Sequence, residues 1–177
     1  MVKRFSISGF TLVEIVVTTA VLIFVMSAVW SAGFLRASDF SVMINQEKLR
    51  LLATRAKSMT INSVFGAHTD SCGYGVRVER DKAFIFLDHG ICGEGNNRIY
   101  DLGEEVTGSI NTITLREGIT FASSTGETAE VLFIPPDPRV VINGNEAVSE
   151  VTFEVRSPTG ASKKVIINKQ GLINLQN

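Results

Sequence analysis

The sequence predicts an α+β protein: a long N-terminal α-helix, apolar in its first half and amphipathic in its second, packed on a C-terminal antiparallel β-sandwich. Three observations predict this. From Gly9 to Leu35 the chain reads GFTLVEIVVTTAVLIFVMSAVWSAGFL, in which Glu14 is the only ionisable side chain. Apolar residues then recur at helical spacing as far as Met59. From Tyr74 onward the period shortens to strand alternation, punctuated by turn residues. A length of 177 residues suits one domain, or a small domain with an appended element.

The leader, residues 1–9, carries its only charges at Lys3 and Arg4. Basic residues ahead of an apolar run favour a cytoplasmic N-terminus, which sends the rest of the chain across the membrane. The run that follows, residues 10–35, is long enough to span a bilayer, for which about 20 apolar residues suffice. A secretory signal peptide has a shorter apolar core of roughly 7–15 residues and a small-residue cleavage site. Neither feature is present, so hydropathy alone favours an uncleaved anchor. A carboxylate at the start of such a segment is costly and points to a function for Glu14.

Helical character continues through residues 36–66. Leu49, Leu52, Ala53, Ala56 and Met59 form one apolar stripe, with Glu47, Lys48, Arg50, Arg55 and Lys57 on other faces. A Leu-rich stripe of this kind is expected to be core. Phe40, Met43 and Ile44 make an earlier apolar patch, Gly33 permits a bend, and Asn62, Ser63 and Gly66 supply stop signals.

Residues 67–177 form the β-rich body, with about eight short strands expected. Tyr74–Val78 and Ala83–Leu87 read as the first hairpin. Thr112–Arg116, Ile119–Ala122, Glu130–Ile134, Val140–Ile142, Val151–Arg156, Lys164–Ile167 and Leu172–Leu175 follow. Turns are signalled at Arg116-Glu117-Gly118, Asn143-Gly144-Asn145, Ser157-Pro158-Thr159-Gly160 and Lys169-Gln170-Gly171. Pro135-Pro136-Asp137-Pro138 ends a strand in an extended connection, and Cys92 to Thr107 is the longest irregular loop.

The junction Gly9-Phe10-Thr11-Leu12-Val13-Glu14, with its short basic leader and uninterrupted apolar run, resembles the processing site of type IV pilins and type II secretion pseudopilins. The resemblance implies cleavage by a prepilin peptidase between Gly9 and Phe10. It makes Phe10 the N-methylated first residue of the mature chain and Glu14 its fifth. Weaker cues place the body nearest the GspH/FimT branch of minor pseudopilins: Ala56-Lys57-Ser58, Ile61-Asn62-Ser63, Tyr74-Gly75-Val76 and the Asn168–Ile173 hairpin. Members of that branch often carry Gly-Arg-x-Arg at the last hairpin. Here Gly171 matches, but Leu172 and Asn174 hold the arginine positions, so a DNA-binding role is not carried over. Major pilins close a C-terminal loop with a disulfide, and no cysteine follows Cys92; a minor subunit is implied.

Two roles are open for Glu14. Thr11-Leu12-Val13-Glu14 fits a capping box, in which hydroxyl and carboxylate each satisfy a free amide of the first helical turn. Alternatively, cleavage creates an amine on Phe10, and Glu14 neutralises it in its own chain or in a neighbour. An uncompensated charge in a packed helical core costs several kcal/mol, so such pairing would set axial register.

Cys72 and Cys92 flank the first hairpin and are placed to pair as a disulfide beyond the membrane. Zinc is the competing possibility, since His68 and His89 complete a four-ligand set, and free thiols are the third. Asp101, Glu104 and Glu105 match no defined calcium loop and read as a solvated cluster. No phosphate loop, nucleophile elbow or metalloprotease motif appears, so neither catalysis nor a metal or cofactor is expected. Net charge is −1 and becomes −3 without the leader, which disfavours nucleic acid as a partner.

The expectation is a structural subunit, a minor pilin or pseudopilin of a type IV pilus or type II secretion filament, held single-pass in the inner membrane before assembly into an extracytoplasmic filament. Its implied partners are other pilin subunits, the prepilin peptidase and methyltransferase, and an inner-membrane assembly platform. The rivals are a DNA-uptake or adhesive minor pilin and an anchored β domain that never polymerises.

Overall fold

A computed structural model describes residues 10–63, 71–89, 98–136 and 139–176, without the side chains of residues 31–38. The chain is α+β: among the described residues one helix, α1 (Leu12–Ser63), precedes nine strands that form two antiparallel sheets. It divides into two compact units, residues 1–37 and 38–177.

Within the second unit, the first sheet contains β1 (Ser71–Val78), β2 (Lys82–His89), β3 (Thr112–Thr114), β5 (Ala129–Ile134) and β6 (Arg139–Ile142), ordered β3-β2-β1-β5-β6. The second contains β4 (Thr120–Ser123), β7 (Glu150–Arg156), β8 (Ser162–Asn168) and β9 (Ile173–Gln176), ordered β4-β7-β8-β9. Every stretch read as a strand from its alternation carries one. The Pro135–Pro136 bond between β5 and β6 is cis.

One core unites α1 with both sheets. Leu49, Leu52, Ala53 and Ala56 of the expected stripe join Val76, Ile85, Val131 and Phe133 of the first sheet and Phe121, Val151, Phe153 and Val165 of the second. The strand period explains how one sheet serves two cores. Along β5, Ala129, Val131 and Phe133 face the helix side, while Leu132 and Ile134 face outward into a smaller cluster with Cys72, Phe84, Phe86 and Val141. Tyr100 covers that outer cluster, its ring edge-on to Phe84 and Phe86 at 5.3 and 5.7 Å. Gly75 permits this packing, because a Cβ there would stand 2.4 Å from the Phe86 ring and 2.8 Å from the Val131 carbonyl oxygen.

The apolar patch of Phe40, Met43 and Ile44 lies outside the core. All three side chains are exposed, and Val42, Asn45 and Gln46 are buried in their place. The reason is register: Val42, Leu49, Ala53, Ala56 and Thr60 share one face, and Phe40 and Ile44 fall on the opposite one. The polar members of the buried face tie α1 to the sheets. Gln46 Nε2 donates to the carbonyls of Lys164 (2.8 Å) and Gln176 (3.2 Å), and Lys57 Nζ donates to that of Gly171 (2.9 Å). Gln46 to Lys57 spans about 16 Å of helix and Gly171 to Gln176 about 17 Å of strand, so α1 runs antiparallel beside the edge strand β9. Thr60 Oγ1 accepts from the Tyr74 amide at 3.0 Å and lies within hydrogen-bond reach of the Ala56 and Phe133 carbonyls.

Local turn chemistry sets the strand pairings. Asn143 and Gly144 have φ of 49° and 70°, and Ile142 and Asn145 exchange both backbone bonds across them. That is the geometry a two-residue Asn-Gly hairpin demands. Arg116 to Ile119 closes a turn with Gly118 at φ 86°, a value suited to glycine at the third position of a type II turn. The outward amide of Phe121 on edge strand β4 donates to the Arg80 carbonyl, and Ser123 bridges to Gly126. The Val140 amide of edge strand β6 donates to the carbonyl of Lys169.

Candidate assembly and membrane segment

The first helical turn is set by Thr11. Its hydroxyl accepts from the Glu14 amide at 3.3 Å, an N-cap that satisfies one of the free donors, and its carbonyl accepts the first helical bond from the Ile15 amide at 3.2 Å. The reciprocal half of a capping box is missing. The Glu14 carboxylate is exposed and makes no hydrogen bond or ion pair among the described residues. Capping therefore accounts for Thr11 and leaves the charge of Glu14 unexplained.

Among the described residues one helical stretch is long and apolar enough to cross a membrane, Leu12–Trp30, and none of it is buried against protein. Unlike Glu14, its hydroxyl side chains bond back to the helix itself. Thr18 Oγ1 donates to the Glu14 carbonyl (2.8 Å), Thr19 Oγ1 to that of Ile15 (2.9 Å) and Ser27 Oγ to that of Phe24 (2.8 Å). Hydroxyls that bond back to the preceding turn need no water, as a lipid environment requires. Phe10 is exposed; Lys3, Arg4 and Gly9 lie outside the described residues.

Cys72 is buried on β1, next to the Ser71–His89 and Gly73–Asp88 pairings that form the open end of the β1–β2 hairpin. It is not a free thiol. Cys92 and His68 lie outside the described residues. Among the described residues no group of three or more metal-ligating side chains converges.

The acidic cluster is organised rather than merely solvated. Glu104 is buried, and its two carboxylate oxygens accept from the amides of His89 (2.9 Å) and Asp101 (2.7 Å). The Leu87 amide donates to the Glu104 carbonyl and the Val106 amide to that of Ile85, so the expected irregular loop runs for a few residues as a partner of β2.

One polar network escaped the sequence reading altogether. Glu130 on β5 is almost fully buried, yet it pairs with Arg77 of β1 and accepts from the Tyr100 amide at 2.8 Å. Arg77 also donates to Glu79 at 2.8 Å and lies 4.8 Å over the Tyr100 ring. Burial alone would lower the guanidinium pKa. The Glu79 hydrogen bond and the charges of Glu130 and Glu79 outweigh burial and raise it. The network's role is to fasten the Tyr100 segment over the outer core. The sequence signal available was slight: a charged residue, Glu130, heading the apolar run Val131–Ile134.

No family model, curated protein or solved structure matches the chain.

Proposed function

We propose that the chain is a structural subunit of a type IV pilus or type II secretion filament, a minor pilin or pseudopilin cut after Gly9 and assembled through its N-terminal helix. The observation that carries this reading is the Glu14 carboxylate, unpartnered among the described residues in the first turn of an otherwise apolar, unburied helix. A new amine on Phe10, four residues earlier, is the partner that a cut after Gly9 supplies. Pairing within or between subunits then removes the cost of placing either charge in a helical bundle. The exposed stripe of Phe40, Ile44 and Leu51, opposite the buried face, supports packing of helix against helix. The partners under this reading are other pilin subunits, the prepilin peptidase and methyltransferase, and an inner-membrane assembly platform. The leader stays in the cytoplasm and the β-rich body lies outside.

Edman sequencing or intact mass of protein from the native host tests the reading. Phe10 as an N-methylated first residue is expected, and an uncut N-terminus leaves an anchored β domain instead. Glu14→Ala is expected to insert into membranes normally and to be lost from filaments. Incorporation at the wild-type level removes the register role of Glu14. Within the same reading, Cys72 pairs with Cys92 across the open end of the β1–β2 hairpin. Non-reducing mass with and without chelator checks that pairing: a mass about 2 Da below the dithiol is expected, one hydrogen lost from each thiol.

A further inference from the structure

An open groove of about 300 Å³ lies in the second unit, between the outer face of α1 and the turn that follows β3. Phe40, Ile44 and Lys48 line its helical side at successive i, i+4 positions, and Thr114, Arg116 and Ile119 line the other. Its chemistry is divided. Phe40 and Ile44 are exposed and offer apolar surface, while Lys48 and Arg116 bring two cations. Neither cation makes an ion pair among the described residues, and no carboxylate lines the groove. Asp39 and Glu117 are near in sequence but are not part of the lining. Arg116 is held in place by the hydrogen-bonded turn to Ile119.

We infer that this groove docks on the headgroup layer of an anionic phospholipid membrane. Phe40 and Ile44 would enter the acyl boundary, and Lys48 and Arg116 would meet lipid phosphates. The inference rests on the reading of Leu12–Trp30 as a membrane span. Two features choose lipid as the occupant. The first is charge: unpaired cations beside apolar side chains match the interfacial layer of such a membrane. The second is covalent reach. Phe40 follows Trp30 by ten residues of the same helix, a rise of about 15 Å, so an inserted span keeps the groove within reach of the bilayer surface. Docking would hold the subunit in a defined orientation before assembly.

The test uses the full chain in phosphatidylcholine nanodiscs with and without phosphatidylglycerol, each prepared with brominated acyl chains as quencher. Trp30 is the only tryptophan, so its quenching in the natural chain reports insertion of the span. Trp30→Phe with Phe40→Trp moves the reporter to the groove, at an exposed position that spares the core. The groove reporter is expected to be quenched, more strongly with phosphatidylglycerol. Lys48→Glu with Arg116→Glu should reduce that quenching about two-fold or more, whereas Lys48→Arg with Arg116→Lys should preserve it. Quenching of Trp30 without quenching of the groove reporter overturns the inference and leaves the span intact. An emission shift of the unquenched reporter that depends on protein concentration overturns it in favour of a second copy of the chain. An unquenched Trp30 overturns the membrane reading and this inference with it.

Discussion

The two halves of α1 differ both in how much apolar residue they carry and in what covers it. From Leu12 to Trp30 every residue is exposed, whichever face it occupies. From Val42 to Thr60 one face is buried and the opposite face, with Phe40, Ile44 and Leu51 on or near it, is not. Composition without pattern leaves the first half without any protein core, and needs another apolar medium. Pattern with modest composition gives the second half a fixed seat on two sheets. A helix's hydrophobicity therefore says how much surface must be covered, and its periodicity says what covers it.

Truncating the core should expose that contrast most strongly. Phe153 is fully buried in the β-body, so Phe153→Ala is expected to cost about 3–5 kcal/mol in denaturant unfolding of the full chain in mild detergent. Phe24→Ala removes the same group from the unburied half and should leave that transition unmoved. An equal loss from both would mean that the first half shares the core. A smaller effect is expected at the helix–sheet tie. Thr60→Val keeps the shape but strands the Tyr74 amide, for a loss of about 1–3 kcal/mol by the same measurement.

The smallest effect is electrostatic. The hydrogen bond from Arg156, reinforced by that from Ser162 and by the charges of Arg156 and Lys164, holds the Glu154 carboxyl below its usual value of 4.5. A folded pKa below the unfolded one stabilises the fold above the unfolded value, and that contribution is lost as pH falls through the folded value. Arg156 is more than half exposed, so solvent screening keeps the contribution small. Glu154→Gln should therefore weaken the protein slightly at pH 7 and not at all at low pH, read from paired urea titrations.

Elements with a repeating signal were legible in the sequence. The stripe from Leu49 to Ala56 repeats every three or four residues, and the strands alternate between turns such as Asn143-Gly144, whose backbone demands are specific. What stayed hidden depended on partners distant in sequence. Phe40, Met43 and Ile44 look like core until Val42 is seen to share the face of Leu49 and Ala53. Asn45 and Gln46 look like surface until Gln46 meets the Lys164 carbonyl more than a hundred residues away. Glu104 and Glu130 look solvated because nothing local shows that backbone amides and Arg77 will surround them. At the candidate segment, Glu14 and the apolar run were plain as residues. The lack of a protein partner for either required coordinates.

The edge strands have a consequence for how copies of this chain meet. Strand β4 spends its outward groups on Arg80 and Gly126, β6 gives its Val140 amide to Lys169, and α1 runs beside β9. An edge strand whose outward groups are occupied offers little template for another sheet, so β4 is poorly suited to pair with a second copy of the chain.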